Sequence, residues 1–299
     1  MSYFPGTPAE DTLLGTTGSD LILGHGGDDF IFGRTGSDVL IGGAGNDSIV
    51  GDAYFGLTVP YDQWEFPTFD TTPGPGDNLI LGGAGNDTVL AGYGANTVFG
   101  GAGDDSIMGY GAIPSHDSEL VEALPQHLYG GAGNDFIRGS SANDLLCGGA
   151  GADTLQGSTG ADTLVGGGGH DVFMFGFLAT YQALRDTAVG PGERDVIRDF
   201  RHGQDVIDIS GYANHHAPPQ GQPAGIFLGT GDFVVSYALQ ARYDIEGGNT
   251  IIKISAPNGY RNVDDPPVKP TEYYEEIELT GVHHLTASDF ILPNSVGPW

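Results

Sequence analysis

Residues Gly42–Val50 read GGAGNDSIV and residues Gly82–Leu90 read GGAGNDTVL, the same nine-residue word twice in one chain. Followed in phase, the pattern G-G-x-G-x-D-x-U-x, with U a large apolar residue, makes fourteen copies in three blocks. The first block starts its copies at Gly6, Gly15, Gly24, Gly33 and Gly42. The second starts them at Pro73, Gly82, Ala91 and Gly100, and the third at Gly130, Gly139, Gly148, Gly157 and Gly166. A unit this short cannot bury its own apolar side chain, so it must stack on neighbours and build a solenoid.

The aligned columns divide the labour. Position 8 is apolar in every copy, from Leu13 and Ile22 to Leu164 and Phe173, whereas position 6 is Asp except at Asn78 and Asn96. Glycines at positions 1, 2 and 4 allow positive φ and close backbone approach, which other residues reach only with strain. The unit therefore reads as a six-residue turn followed by a three-residue strand, with two copies to a coil. Turns two copies apart share one flank of the coil at roughly 4.8 Å, the spacing of neighbouring strands. At an effective dielectric near 20, two position-6 carboxylates at that separation repel by roughly 3–4 kcal/mol. A hard divalent cation between successive turns reverses that sign, and oxygen ligands suit calcium.

These copies resemble the RTX, or haemolysin-type, calcium-binding repeats. The resemblance implies an all-β fold, a right-handed parallel β-roll over residues 6–174, with multiple calcium ions as its cofactor. It also implies that each ion is held by position-6 carboxylates and turn carbonyls of two neighbouring turns on one flank. Carried onto this chain, the carboxylate pairs are Asp11 with Asp29, Asp29 with Asp47, Asp20 with Asp38, and Asp87 with Asp105. The third block adds Asp135 with Asp153, Asp153 with Asp171, and Asp144 with Asp162. The turn carbonyls fall on the position-4 glycines: Gly18, Gly27, Gly36, Gly45, Gly85, Gly103, Gly133, Gly151 and Gly160. Asn78 and Asn96 face the same interval between turns, which loses two formal charges and is expected to be empty or the weakest.

Composition narrows the function classes. The formal net charge is −29 with ten Lys and Arg, which argues against nucleic acid and anionic membrane surfaces. The one cysteine, Cys147, excludes an internal disulfide, so metal is expected to serve as the staple. No apolar run approaches the length of a membrane span, and the N-terminal MSYFPGTPAEDTLL shows no signal-peptide pattern. The calcium repeats nonetheless point to a secreted, extracellular location, because cytosolic calcium is too low to fill sites of millimolar type.

Two inserts interrupt the period. Residues 51–72 carry Tyr54, Phe55, Tyr61, Trp64, Phe66 and Phe69, read as packing on the flank of the roll or, alternatively, as a surface for sugars or a partner. Residues 109–129 contain PSHDSELVEAL, with Ser115 placed to cap a short helix. Each insert is near a coil in length, so looping out and replacing a coil both stay open. From Phe175 the nonapeptide phase is lost, and strand-like runs separated by Gly, Pro and Asn predict an antiparallel β cap over residues 175–299. DVIRDF, GQDVIDISG and ASDFIL resemble the C-terminal region of serralysin-type secreted metalloproteases, which in that family carries the signal for the type I secretion machinery. The terminal PNSVGPW departs from that family's ending.

Catalysis finds no support in the residues. There is no H-E-x-x-H or G-x-S-x-G. The adjacent pairs His215-His216 and His283-His284 suit zinc poorly, since neighbours on a strand point to opposite faces. The expected function is a secreted calcium-binding protein that folds on calcium, not an enzyme, with a matrix, adhesion or surface role. Because polysaccharide epimerases and lyases carry similar roll modules, the alternative is a polysaccharide-acting enzyme or its binding module, with an extracellular polysaccharide as partner. A toxin-like membrane-active role would need an amphipathic or apolar membrane segment, which is not seen.

Overall fold

In the computed structural model, the described residues are 1–52, 76–109, 124–176, 190–211, 225–234, 238–255 and 275–293. The aromatic run of the first insert, Ser115 and the His215-His216 pair lie outside them. The chain divides into two compact units, Met1–Ser141 and Ala142–Trp299.

In the first unit, strands alternate between two parallel sheets. One holds β1 (Ser2–Pro5), β3 (Asp20–Gly26), β5 (Val39–Ala44), β7 (Leu79–Ala84), β9 (Thr97–Ala102) and β11 (His127–Ala132). The other holds β2 (Thr12–Leu14), β4 (Phe30–Phe32), β6 (Ser48–Val50), β8 (Thr88–Leu90), β10 (Ser106–Met108) and β12 (Phe136–Arg138). Register keeps the columns of the repeat in line: Leu21 faces Val39, Val39 faces Leu79, and Leu79 faces Thr97. The core is one inward side chain per strand. Ile22, Ile31, Leu40, Ile49, Ile80, Val89, Val98 and Ile107 are all fully buried, as is Leu128, which fills this role outside the fourteen copies.

The second unit repeats the scheme with β13 (Leu145–Ala150), β15 (Thr163–Gly168) and β17 (Asp195–Ile197) on one sheet. Facing them are β14 (Thr154–Gln156), β16 (Val172–Met174) and β18 (Val206–Asp208). Parallel pairing thus runs past Met174: β15 pairs with β17 and β16 with β18. Beyond β17 the sheet continues through β22 (Glu275–Leu279), β21 (Asn249–Ser255), β20 (Leu239–Glu246) and β19 (Gly225–Phe227). Pairing is antiparallel from β20 to β22 and parallel between β19 and β20. The buried Arg194 donates to Glu276 at 2.8 Å and Glu278 at 3.0 Å, fixing the last roll strand to this cap. The short β23 (Phe290–Ile291) pairs with β18. No helix among the described residues is long and apolar enough to cross a membrane.

The glycine columns have separate duties. Positions 2 and 4 carry the positive φ, as at Gly43 (119°) and Gly45 (138°). Position 1 is glycine for space where position 6 is Asp: a Cβ at Gly42 would overlap Asp47 Oδ2 and come within 2.7 Å of the Gly82 carbonyl oxygen, whereas Ala91 stands at position 1 of a copy whose position 6 is Asn96. The non-glycine residues found at positive φ, His25, Arg34 and Ser158, all at 78°, sit at position 2. His25→Gly and Arg34→Gly are therefore expected to stabilise the calcium-loaded protein by about 0.5–1 kcal/mol, strain relief exceeding the added chain entropy. Urea midpoints at saturating calcium check this, and a lower midpoint in both variants contradicts it.

Candidate metal sites along the turn columns

Position-6 side chains stack into ladders in which each Oδ1 accepts the main-chain N–H of the equivalent residue one coil earlier. On one flank of the first unit the donors run Asp11 to Asp29 at 2.8 Å, Asp29 to Asp47 at 2.8 Å and Asp47 to Asp87 at 2.7 Å. They continue from Asp87 to Asp105 and from Asp105 to Asp135, both at 2.8 Å. On the other flank they run Asp20 to Asp38, Asp38 to Asn78 and Asn78 to Asn96, each at 2.8 Å. The second unit has Asp144 to Asp162 at 2.7 Å and Asp153 to Asp171 at 3.0 Å. Asp135 and Asp153, expected as a pair, belong one to each unit.

The ladders make pairings across the inserts, and reach residues in the second unit, that the nonapeptide count missed. Asp47 stacks on Asp87, and Asp105 on Asp135, because each insert leaves the coil spacing intact on this flank. In the second unit Asp162 donates to Asp195 and Asp171 to Asp205, at 2.7 and 3.2 Å. The usable signal was D-V-I, at 195–197 and again at 205–207, which keeps Asp two residues before a buried Ile.

The second carboxylate oxygen is the chemically telling one. Asp29, Asp38, Asp47, Asp87, Asp105 and Asp171 are 1–2 % exposed, and the Oδ2 of each has no hydrogen-bond partner. A buried charged oxygen without a donor costs several kcal/mol, so such a row demands protons or cations. Backbone oxygens line the same intervals. A Cβ on Gly43 or Gly45 would overlap the carbonyl oxygens of His25 and Gly27, so positions 2 and 4 point forward to the next turn. Position 1 points back, the Gly82 oxygen facing Gly42 and the Gly100 oxygen facing Gly82. Each interval is thus edged by carboxylate and carbonyl oxygens, the donor set that calcium takes. No three His, Cys, Asp or Glu side chains converge among the described residues, so an ion here must draw mainly on carbonyls.

Electrostatics agree with that reading. Burial pushes Asp38 and Asp87 up to about 7 and Asp135 up to about 6, and neighbouring aspartates add to the shift. Without metal these groups bind protons more tightly folded than unfolded, so stability falls as pH rises from about 4 towards 7. The calcium-free chain is therefore expected to gain β structure on acidification from pH 8 to pH 5. Circular dichroism in chelator checks this, and loss of structure over that range contradicts it. Two turns are closed differently. Asp20 is held low despite its burial, because Thr16 N–H, Thr16 Oγ1 and Ser2 N–H donate to it. Asp11 likewise receives Thr7 N–H and Thr7 Oγ1.

The asparagine turns are also distinct. Asn96 Nδ2 donates to the carbonyls of Gly92, Tyr93 and Gly94 at 3.1–3.4 Å, and Gln126 Nε2 donates to Gly92 at 3.0 Å. Gln126 occupies position 6 here, since His127 pairs with Thr97. Amide nitrogens thus take the carbonyls that would otherwise receive a cation. A calcium-loaded crystal structure is expected to hold an ion between Asp87 and Asp105 and none between Asn78 and Asn96. A fully occupied ion at the asparagines contradicts this.

Other candidates resolve into structural roles. Cys147 pairs in register with Val165, and burial raises its thiol pKa. His283 packs edge-on against Phe200 at 5.8 Å and its Nε2 lies 3.0 Å from the Thr280 carbonyl oxygen. Asp289 is fully buried and accepts from Thr286 N–H at 2.6 Å, with His202 Nδ1 at 2.7 Å.

The family model of the RTX calcium-binding nonapeptide repeat, four copies long, matches residues 5–40, 32–53, 72–107, 126–155 and 148–177. No curated protein matches the chain. Among solved structures, the AlgE6R3 subunit of the Azotobacter vinelandii mannuronan C5-epimerase aligns at 25% identity and a TM-score of 0.27, over 76% of this chain and 85% of that one. The AlgE6R2 subunit of the same enzyme aligns at 23% identity and a TM-score of 0.25, over 67% and 94%. The matched segments cover the carboxylate ladders from Asp11 to Asp171 and stop short of Asp195 and Asp205: this chain carries RTX calcium-binding nonapeptide repeats.

Proposed function

We propose that the chain is a secreted, non-catalytic calcium-binding roll that folds when calcium enters the intervals between same-flank turns. The observation that carries this reading is the row of buried carboxylate oxygens without donors, Asp29, Asp47, Asp87 and Asp105, edged by turn carbonyls. In it, the ligands are the carboxylates of Asp11, Asp29, Asp47, Asp87, Asp105 and Asp135 on one flank and of Asp20 and Asp38 on the other. Asp144, Asp153, Asp162, Asp171, Asp195 and Asp205 serve the second unit, and the position-4 carbonyls complete the intervals.

Export follows from the same physics. A glycine-rich acidic chain without calcium has little to offset its ordering entropy, so it can pass a narrow channel unfolded and fold outside. The serralysin-like words of the tail support a type I route. The extracellular role is binding to a surface or matrix polysaccharide. A glycan array probed with and without calcium, beside an activity screen on the bound glycans, tests this. Calcium-dependent binding without turnover is expected, and turnover of any bound polymer overturns the non-catalytic reading.

A further inference from the structure

The first interruption of the period falls within a turn and not between copies. Arg34 N–H donates to the Gly51 carbonyl at 3.0 Å, and Gly51 N–H donates to Leu90 at 2.9 Å, so Gly51 occupies position 1 of a turn. Asp52 occupies position 2, because a Cβ on Gly92, position 2 of the following turn, would run into its backbone. Position 4 of the same turn is Gly76, stacked between Gly36 and Gly94, and position 6 is Asn78. Residues 51–52 and 76–78 together make one turn.

Asp52 is unlike other position-2 residues, which are Gly, His, Arg, Thr or Ser elsewhere in the repeats. Its carboxylate is 5% exposed. Oδ2 accepts from Asn78 Nδ2 at 3.0 Å, while Oδ1 has no hydrogen-bond partner. In the preceding turn Asp38 is 1% exposed, and its Oδ2 likewise has none. Neither carboxylate pairs with a lysine or arginine among the described residues. Asn78 links the two, its Oδ1 accepting from Asp38 N–H at 2.8 Å while its Nδ2 donates to Asp52, and a Cβ on Gly76 would meet both the Gly36 carbonyl oxygen and Asp52 Oδ2. Two buried carboxylates, each with an oxygen lacking a donor, face a common interval whose edges include the Gly36 and Gly51 carbonyls.

We propose that Asp52 supplies the carboxylate that Asn78 cannot, so that Asp38 and Asp52 together bind a calcium ion at the split turn. The Asn78 amide orients Asp52 through one oxygen and leaves the other for the metal. The ion ties Gly51–Asp52 and Gly76–Asn78 into one turn. The inference rests on the calcium reading of the other intervals and extends it to a carboxylate outside the position-6 column.

The test is an anomalous difference map from crystals of the full chain grown in calcium, for the wild type and for Asp52→Asn. The wild type is expected to show a peak between Asp38 and Asp52 as well as one between Asp47 and Asp87, and D52N to lose the first alone. A wild-type map with the Asp47–Asp87 peak but nothing at Asp38–Asp52 overturns the inference and leaves the general reading intact. An unchanged peak in D52N also overturns it. Absence of both peaks removes the calcium reading itself. The wild-type map decides the question even if D52N does not crystallise.

Discussion

Moving the calcium-loaded protein into excess chelator at low ionic strength is expected to unfold the repeat region, and millimolar calcium to restore it. The carboxylates within each ladder are spaced by one strand step, where repulsion is roughly 3–4 kcal/mol per pair at an effective dielectric near 20. Little else opposes that term. The core contributes one buried side chain per strand, such as Ile22, Ile31, Leu40 and Ile49, and 52 glycines raise the entropy that folding must overcome. Each ion that binds only the folded chain contributes about 2.7 kcal/mol at a hundredfold excess over its Kd. Far-ultraviolet circular dichroism should pass from a mainly disordered to a β spectrum on adding calcium. A fully β-structured protein in chelator at pH 7.5 would sink this expectation.

The second large effect separates glycines that look alike. Gly82→Ala places a Cβ against Asp87 Oδ2 and 2.5 Å from the Gly100 carbonyl oxygen, with rigid backbone on one side. Relief would require the coils to part or the carboxylate to leave its interval. A loss of about 3 kcal/mol of calcium-dependent stability is expected, at the upper end of overpacking effects. Gly18→Ala, at position 4 of the second copy, meets nothing within 4 Å and has no positive φ to strain it. Its expected effect is within about 0.5 kcal/mol. Denaturation of both variants in saturating calcium compares them. Equal midpoints would mean that position 1 does not depend on close approach.

Much of this was legible because the period keeps two chemistries in phase. The stretch GGAGNDSIV states an inward Ile49 and a ladder Asp47 without reference to any other residue. Where the chain inserts or drops residues, the count fails although the geometry persists. Gly51 and Asp52 read as the start of an insert, yet they complete a turn with Gly76, because stacking constrains position in space and not spacing in sequence. Gln126 was hidden for the same reason, lying in a stretch with no glycine words although Leu128 beside it is fully buried. In sequence, Asp195 and Asp205 read as parts of the cap. Their turns differ from the repeat: Asp205 Oδ2 accepts from Arg201 N–H at 2.7 Å, and Asp199 accepts from Gly166 and Gly167. The distinction between glycines needed for φ and those needed for space also lay beyond composition. Only the neighbouring coil reveals it.

Calcium between turns requires the folded chain to carry many ions whose number depends on the ladder carboxylates. Counting bound calcium per folded chain by native mass spectrometry measures this directly. Asp87 edges two intervals, towards Asp47 and towards Asp105, so Asp87→Ala is expected to bind one or two ions fewer than the wild type. Asp28→Ala, at an exposed position 5, is expected to keep the full count. A compact, folded wild-type chain that carries no calcium, or an equal loss in both variants, would contradict the assignment of the ions to the position-6 ladders.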